Sequence, residues 1–105
     1  MAEKLSEAEI DQRLTAIPDW GSTGANIQRT YQFEDFVGAM KFVNMIAEAA
    51  EAAQHHPDIM IRYDKVTLTL STHDAGGITQ KDFDLAARAD GFASLLPRPA
   101  PPKTA

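Results

Sequence analysis

The sequence predicts an α+β domain, an antiparallel sheet of three or four strands with helices packed on one face. Three observations carry this. Apolar residues recur at three- and four-residue steps in three segments, the period of a helix. They alternate with polar residues in NIQRTYQF and VTLTLST, the period of a strand. A long helical pattern separates the two strand groups, an order that suits helices laid over an antiparallel sheet.

Each element has a local reason. Ser6 and Glu9 form a Ser-x-x-Glu capping box, and Ile10, Leu14 and Ile17 follow at helical spacing until Pro18. DWGSTG then turns through two glycines. In NIQRTYQF, Ile27, Tyr31 and Phe33 share one parity, with Arg29 interrupting them. Asp35 caps the next helix, on which Phe36, Ala39, Met40, Val43, Ile46, Ala47, Ala50 and Ala53 recur over about five turns. Pro57 forces its end, leaving Gln54, His55 and His56 in or just after the last turn. DIMIRY is a strand, Asp64-Lys65 a two-residue hairpin connection, and VTLTLST a second strand with Val66, Leu68 and Leu70 on one face. His73 falls on the Thr/Ser face if that strand continues. After the loop DAGG, Thr79 and Asp82 resemble a second capping box. A helix then carries Phe83, Ala86, Ala87, Phe92 and Ala93, with Leu85, Ala89 and Leu96 beside them. Residues 1–96 read as one domain, and the proline-rich 97–105 as a disordered tail.

Composition narrows the function. The 105 residues suit one domain, and 44% hydrophobic with 24% charged residues is the balance of a soluble globule. A net charge of -5 without a basic cluster argues against a nucleic-acid surface. The absence of cysteine removes disulfides, thiolate metal sites and thiol nucleophiles. No signal peptide or membrane span is visible, so a cytoplasmic protein is expected.

The three histidines, His55, His56 and His73, concentrate the chemistry. A three-imidazole metal centre is disfavoured. Adjacent residues at a helix end diverge by about 100°, and no His-x-x-x-His or Glu-x-x-His pattern puts two ligands on one face. Acid/base work suits imidazoles better, since they titrate near neutrality. The bland readings are equally concrete. His55 could complement the helix dipole, His56-Pro57 could be a surface turn, and His73 could end a strand. Asp82 could only cap a helix, Glu51 could sit on a solvated face, and Trp20 could anchor a loop.

Glu51, then His55-His56-Pro57, Tyr63, His73 and Asp82, with the text QHHPDIMIRYDKVTLTLSTHDAGGITQKDFDLA around them, resemble the signature of pterin-4a-carbinolamine dehydratases. Trp20 and the FEDF before the long helix fit too, and the likeness runs from about Leu5 to about Phe92. The resemblance implies a four-stranded antiparallel sheet with three helices packed on one face. It implies dehydration of 4a-hydroxytetrahydrobiopterin to quinonoid dihydropterin and water, with no metal or organic cofactor, in support of tetrahydropterin recycling beside an aromatic amino-acid hydroxylase. It makes His55 and His73 the acid/base pair and His56 a positioning group. Ser71, Thr72 and Asp74 would line the pterin site, with Glu51 and Gln54 beside it and Trp20 near the rim. Asp82 would support the site and be at least half structural. Gln54 stands where animal members commonly carry an acid, and Asp74 where they often carry Glu. A homodimer or homotetramer is expected by the same resemblance. The rival reading is a binding or dimerisation partner on this fold, a role some family members also have.

Overall fold

The computed structural model describes residues 3–99. The chain order is α1 (Glu7–Leu14), β1 (Gly21–Thr23), β2 (Asn26–Gln32), α2 (Phe36–Ala53), β3 (Asp58–Arg62), β4 (Lys65–Leu70) and α3 (Gln80–Ser94). A 3₁₀ turn, His73–Ala75, precedes α3. The four strands form one antiparallel sheet in the order β1-β2-β4-β3, and the three helices cover one face. Of the expected tail, residues 100–105 lie outside the described residues; Pro97 gives its carbonyl to the Glu34 amide at 3.2 Å.

The caps fall where the residue types put them. Ser6 and Glu9 complete a reciprocal box on α1, Asp35 accepts from the Gly38 amide on α2, and Thr79 and Asp82 complete a second box on α3. α1 is shorter than the Ile10–Ile17 spacing implied. From Thr15 onward the amides reach back three residues rather than four, and Ile17 is buried in the turn beyond the helix.

Two turns depart from expectation. Gly21 is not a turn residue; it opens β1, an edge strand paired to β2, and only Gly24 of that segment takes a positive φ, 65°. The β3–β4 connection is Tyr63-Asp64, not Asp64-Lys65, because Arg62 pairs Lys65. Packing decides this register. Ile59 faces Leu68 across the ladder and packs against the core, and a one-residue slip would turn it away; Ile61 faces Val66 but stays exposed. Tyr63 takes φ 54° as a result. The strand also stops short of His73: Thr72 bridges Gly77, and the chain between them coils into the 3₁₀ turn.

The core lies between sheet and helices. Ile27, Tyr31, Val66, Leu68 and Leu70 meet Phe42 and Ile46 of α2 and Phe83, Leu85 and Ala86 of α3. The buried stripe of α2 is rotated from the one expected. Phe42, whose ring sits 4.7 Å from Tyr31 and 4.9 Å from Phe33, anchors it, whereas Phe36 and Ala47 are exposed. Lys41, Asn44, Glu48 and Glu51 form a polar stripe opposite this buried face, so the sequence marks it, and the expected stripe reached too far round toward Phe36 and Ala47. On α3, Ala87 is exposed rather than buried.

Arg29, which breaks the β2 alternation, belongs to a polar group at the core margin. Its guanidinium lies 4.3 Å from the centre of the Tyr31 ring and donates to Asp90 Oδ1 at 2.7 Å. Trp20 Nε1–H and the Tyr31 hydroxyl donate to the same oxygen, at 3.0 and 2.5 Å. Burial first, then the Asp90 carboxylate, pushes the Tyr31 phenol well above its ordinary value. Tyr31→Phe is expected to cost about 1–2 kcal/mol in urea denaturation at neutral pH. The folded state holds the Tyr31 proton to higher pH than the unfolded chain does. That contribution is therefore full below the unfolded phenol value, about 10, and falls as pH rises beyond it. The stability gap between wild type and variant should narrow there.

Candidate active site

The end of α2 sets the first half of the site. Gln54 closes the helix as a left-handed cap (φ 54°), and its amide and that of His55 return to the carbonyls of Ala50 and Glu51. This reversal sends the adjacent histidines apart. His55 turns inward to 8% exposure, whereas His56 stays in solvent and pairs its Nε2 with the exposed Glu51 carboxylate.

The start of α3 supplies the second half. Asp82 is fully buried, and its Oδ1 lies 2.5 Å from His55 Nε2. Its Oδ2 accepts from the Thr72 hydroxyl and from the Thr79 amide, both at 2.9 Å. The Thr72 and Thr79 hydroxyls are 2.6 Å apart, and Thr79 Oγ1 also takes the Lys81 amide. One proton arrangement satisfies every member. Thr72 spends its proton on Asp82, so Thr79 donates to Thr72, and the acceptor carboxylate takes Nε2–H from His55. That leaves His55 Nδ1 as the nitrogen with a lone pair.

The expected residues therefore divide. His55, Asp82 and Thr72 meet in one buried network. His73 follows Thr72 directly, but its ring is exposed and makes no hydrogen bond among the described residues. Glu51 and His56 form a separate surface pair. Gln54 and Asp74 are exposed, and Ser71 is half-buried. Trp20 is buried and bonded to Asp90, which lies eight residues beyond Asp82 on α3, about 12 Å along the axis. No hydrogen bond joins it to the histidine group among the described residues. Sequence reasoning gave no role to the residues beside His55. A pocket of about 90 Å³ is lined by His55, Ala53, Lys81, Asp84, Leu85 and Arg88. The signal available was the spacing of Lys81, Asp84, Leu85 and Arg88, which share one helical face. Among the described residues, no group of three or more His, Cys, Asp or Glu side chains is placed to hold a metal ion, and no helix is long and apolar enough to cross a membrane.

The fold and this site define a small α+β domain built around a buried imidazole–carboxylate pair. The family model for pterin 4 alpha carbinolamine dehydratase matches residues 3–92, and the chain belongs to that family. A protein of a Cyanothece species, named "Putative pterin-4-alpha-carbinolamine dehydratase", is 58% identical over 86 residues, which cover 82% of this chain and 89% of the relative. A Roseiflexus relative of the same name is 56% identical over 90 residues, 86% of this chain and 97% of its own. The crystal structure of a transcriptional coactivator/pterin dehydratase from Brucella melitensis superimposes with TM-score 0.84 at 32% identity, over 87% of this chain and 99% of that one. A pterin dehydratase-like protein described as a RuBisCO assembly factor in the alpha-carboxysome shares the fold, with TM-score 0.59 and 21% identity over 70% of this chain and 86% of that one.

Proposed function

We propose that this protein dehydrates 4a-hydroxytetrahydropterins, 4a-hydroxytetrahydrobiopterin among them, to quinonoid dihydropterin and water. The C4a–O bond breaks and a C4a=N5 double bond forms. The N5 proton goes to a base, and the hydroxyl takes up a proton and leaves as water. One observation carries the reading: a buried His55 whose Nε2–H is held by a buried carboxylate at the family's motif positions. With Nε2–H held by Asp82, His55 Nδ1 keeps its lone pair and is suited to accept the N5 proton. His73, one residue from the Thr72–Asp82 bond, is suited to protonate the leaving hydroxyl. His56, oriented by Glu51, positions the ring.

The reading places the protein in the cytoplasm, recycling tetrahydropterin behind an aromatic amino-acid hydroxylase. Exposed Phe36, Val37, Met60, Ile61 and Leu95 support assembly as a homodimer or homotetramer. The rival, a partner protein without catalysis, draws on the same apolar groups and on the fold shared with the assembly factor. It leaves the buried His55–Asp82 pair a structural task alone.

The test is stopped-flow dehydration of freshly generated carbinolamine. Wild-type protein should accelerate the decay well beyond buffer. His73→Ala should slow it by about 10² or more, the typical worth of a general acid. A wild-type rate equal to buffer would sink the reading.

A further inference from the structure

The pocket beside His55 has a chemistry that proton transfer does not explain. Lys81 and Arg88 lie seven residues apart on α3, and so on one side of the helix, and both line it. Neither makes an ion pair among the described residues, although acidic residues outnumber basic ones by 15 to 10 in this chain. Asp84, the one acid of the pocket, is engaged by the Gln80 amide at 2.9 Å. Leu85 and Ala53 supply apolar wall. The volume, about 90 Å³, is below the roughly 150 Å³ of a cavity that holds benzene. It admits a small terminal group but not a bicyclic ring.

We propose that this pocket is a subsite for an anionic group, carboxylate or phosphate, carried on the side chain of the pterin, with Lys81 and Arg88 as its specificity-determining residues. The proposal rests on the dehydratase reading, because it is the contact of His55 with substrate that brings the side chain here. Its physical basis is charge. Two exposed cations against the single Asp84 carboxylate leave the lining net positive, which favours an anion over a neutral polyol.

The experiment measures equilibrium binding of stable dihydropterins by calorimetry. The ligands are a hydroxymethyl pterin, its phosphate ester and a carboxymethyl analogue, tested on wild type and on Lys81→Gln/Arg88→Gln. Wild type should prefer one or both anionic ligands, and the preference should weaken with salt. In the double variant the ratio of anionic to neutral affinity should fall on the order of tenfold, since each exposed cation is worth at most about fivefold. The two anionic arms tell carboxylate from phosphate. Equal affinity for neutral and anionic ligands in wild type, or a preference that survives the double substitution, overturns the subsite. If the preference is present but no carbinolamine is turned over, the subsite stands and the dehydratase reading fails. If carbinolamine is turned over without any preference, the reverse holds. Binding of none of the three overturns the subsite.

Discussion

His55→Ala is expected to slow carbinolamine dehydration by about 10²–10⁴-fold, the largest catalytic effect of any single histidine in this chain. Three properties of the side chain support this. It is buried at 8% exposure, its Nε2 is committed to Asp82, and its ring forms part of a pocket wall. His56 and His73 are exposed, His56 held by the surface carboxylate of Glu51 and His73 by no hydrogen bond among the described residues. The loss must be separated from unfolding. Asp82 keeps the Thr72 hydroxyl and the Thr79 amide after the substitution, so stability should fall by only about 1–3 kcal/mol. Rates measured well below the melting temperature should then report chemistry. External imidazole, entering the space the ring vacates, should restore part of the rate. A folded variant within about threefold of wild type would remove His55 from the mechanism.

The sequence carried the helix starts almost completely, because a capping box is a statement about four adjacent residues. Ser6/Glu9, Asp35 and Thr79/Asp82 all act at the helix starts they marked. What it could not carry was set by packing. Tyr63 accepts a positive φ because Ile59 must face the core, and no local rule at Tyr63 says so. The buried face of α2, by contrast, was legible opposite the stripe of Lys41, Asn44, Glu48 and Glu51, and three aromatic rings, two of them on or beside β2, pack there. The site was legible to a similar depth. The divergence of His55 and His56 follows from their adjacency at a helix end. Which of them turns inward depends on Asp82, some 27 residues on. The Asp90 group was announced only by Arg29 standing among apolar neighbours. Its acceptor lies some 61 residues away.

Asp82→Ala is expected to produce the largest loss of stability, about 3–5 kcal/mol by urea denaturation. Three donors converge on this carboxylate: His55 Nε2, the Thr72 hydroxyl and the Thr79 amide. Alanine leaves them buried without an acceptor and removes the reciprocal half of the α3 cap, itself worth about 1 kcal/mol. Against a total of about 5–15 kcal/mol for a domain of this kind, that is a large fraction. Asp82→Asn separates the two roles of the residue. The amide keeps one oxygen, which can still serve Thr72 and Thr79, so the fold should lose clearly less than in the alanine variant. Its nitrogen, however, now points a donor at His55 Nε2. The imidazole must then accept there and carry its proton on Nδ1, the atom proposed to take the substrate's proton. Turnover should fall by about 10² or more while substrate affinity changes little. Nitrogen-15 spectra of the ring should show the proton moved from Nε2 to Nδ1. If Asp82→Asn turned over normally with that tautomer reversed, Asp82 would serve the cap and the core alone.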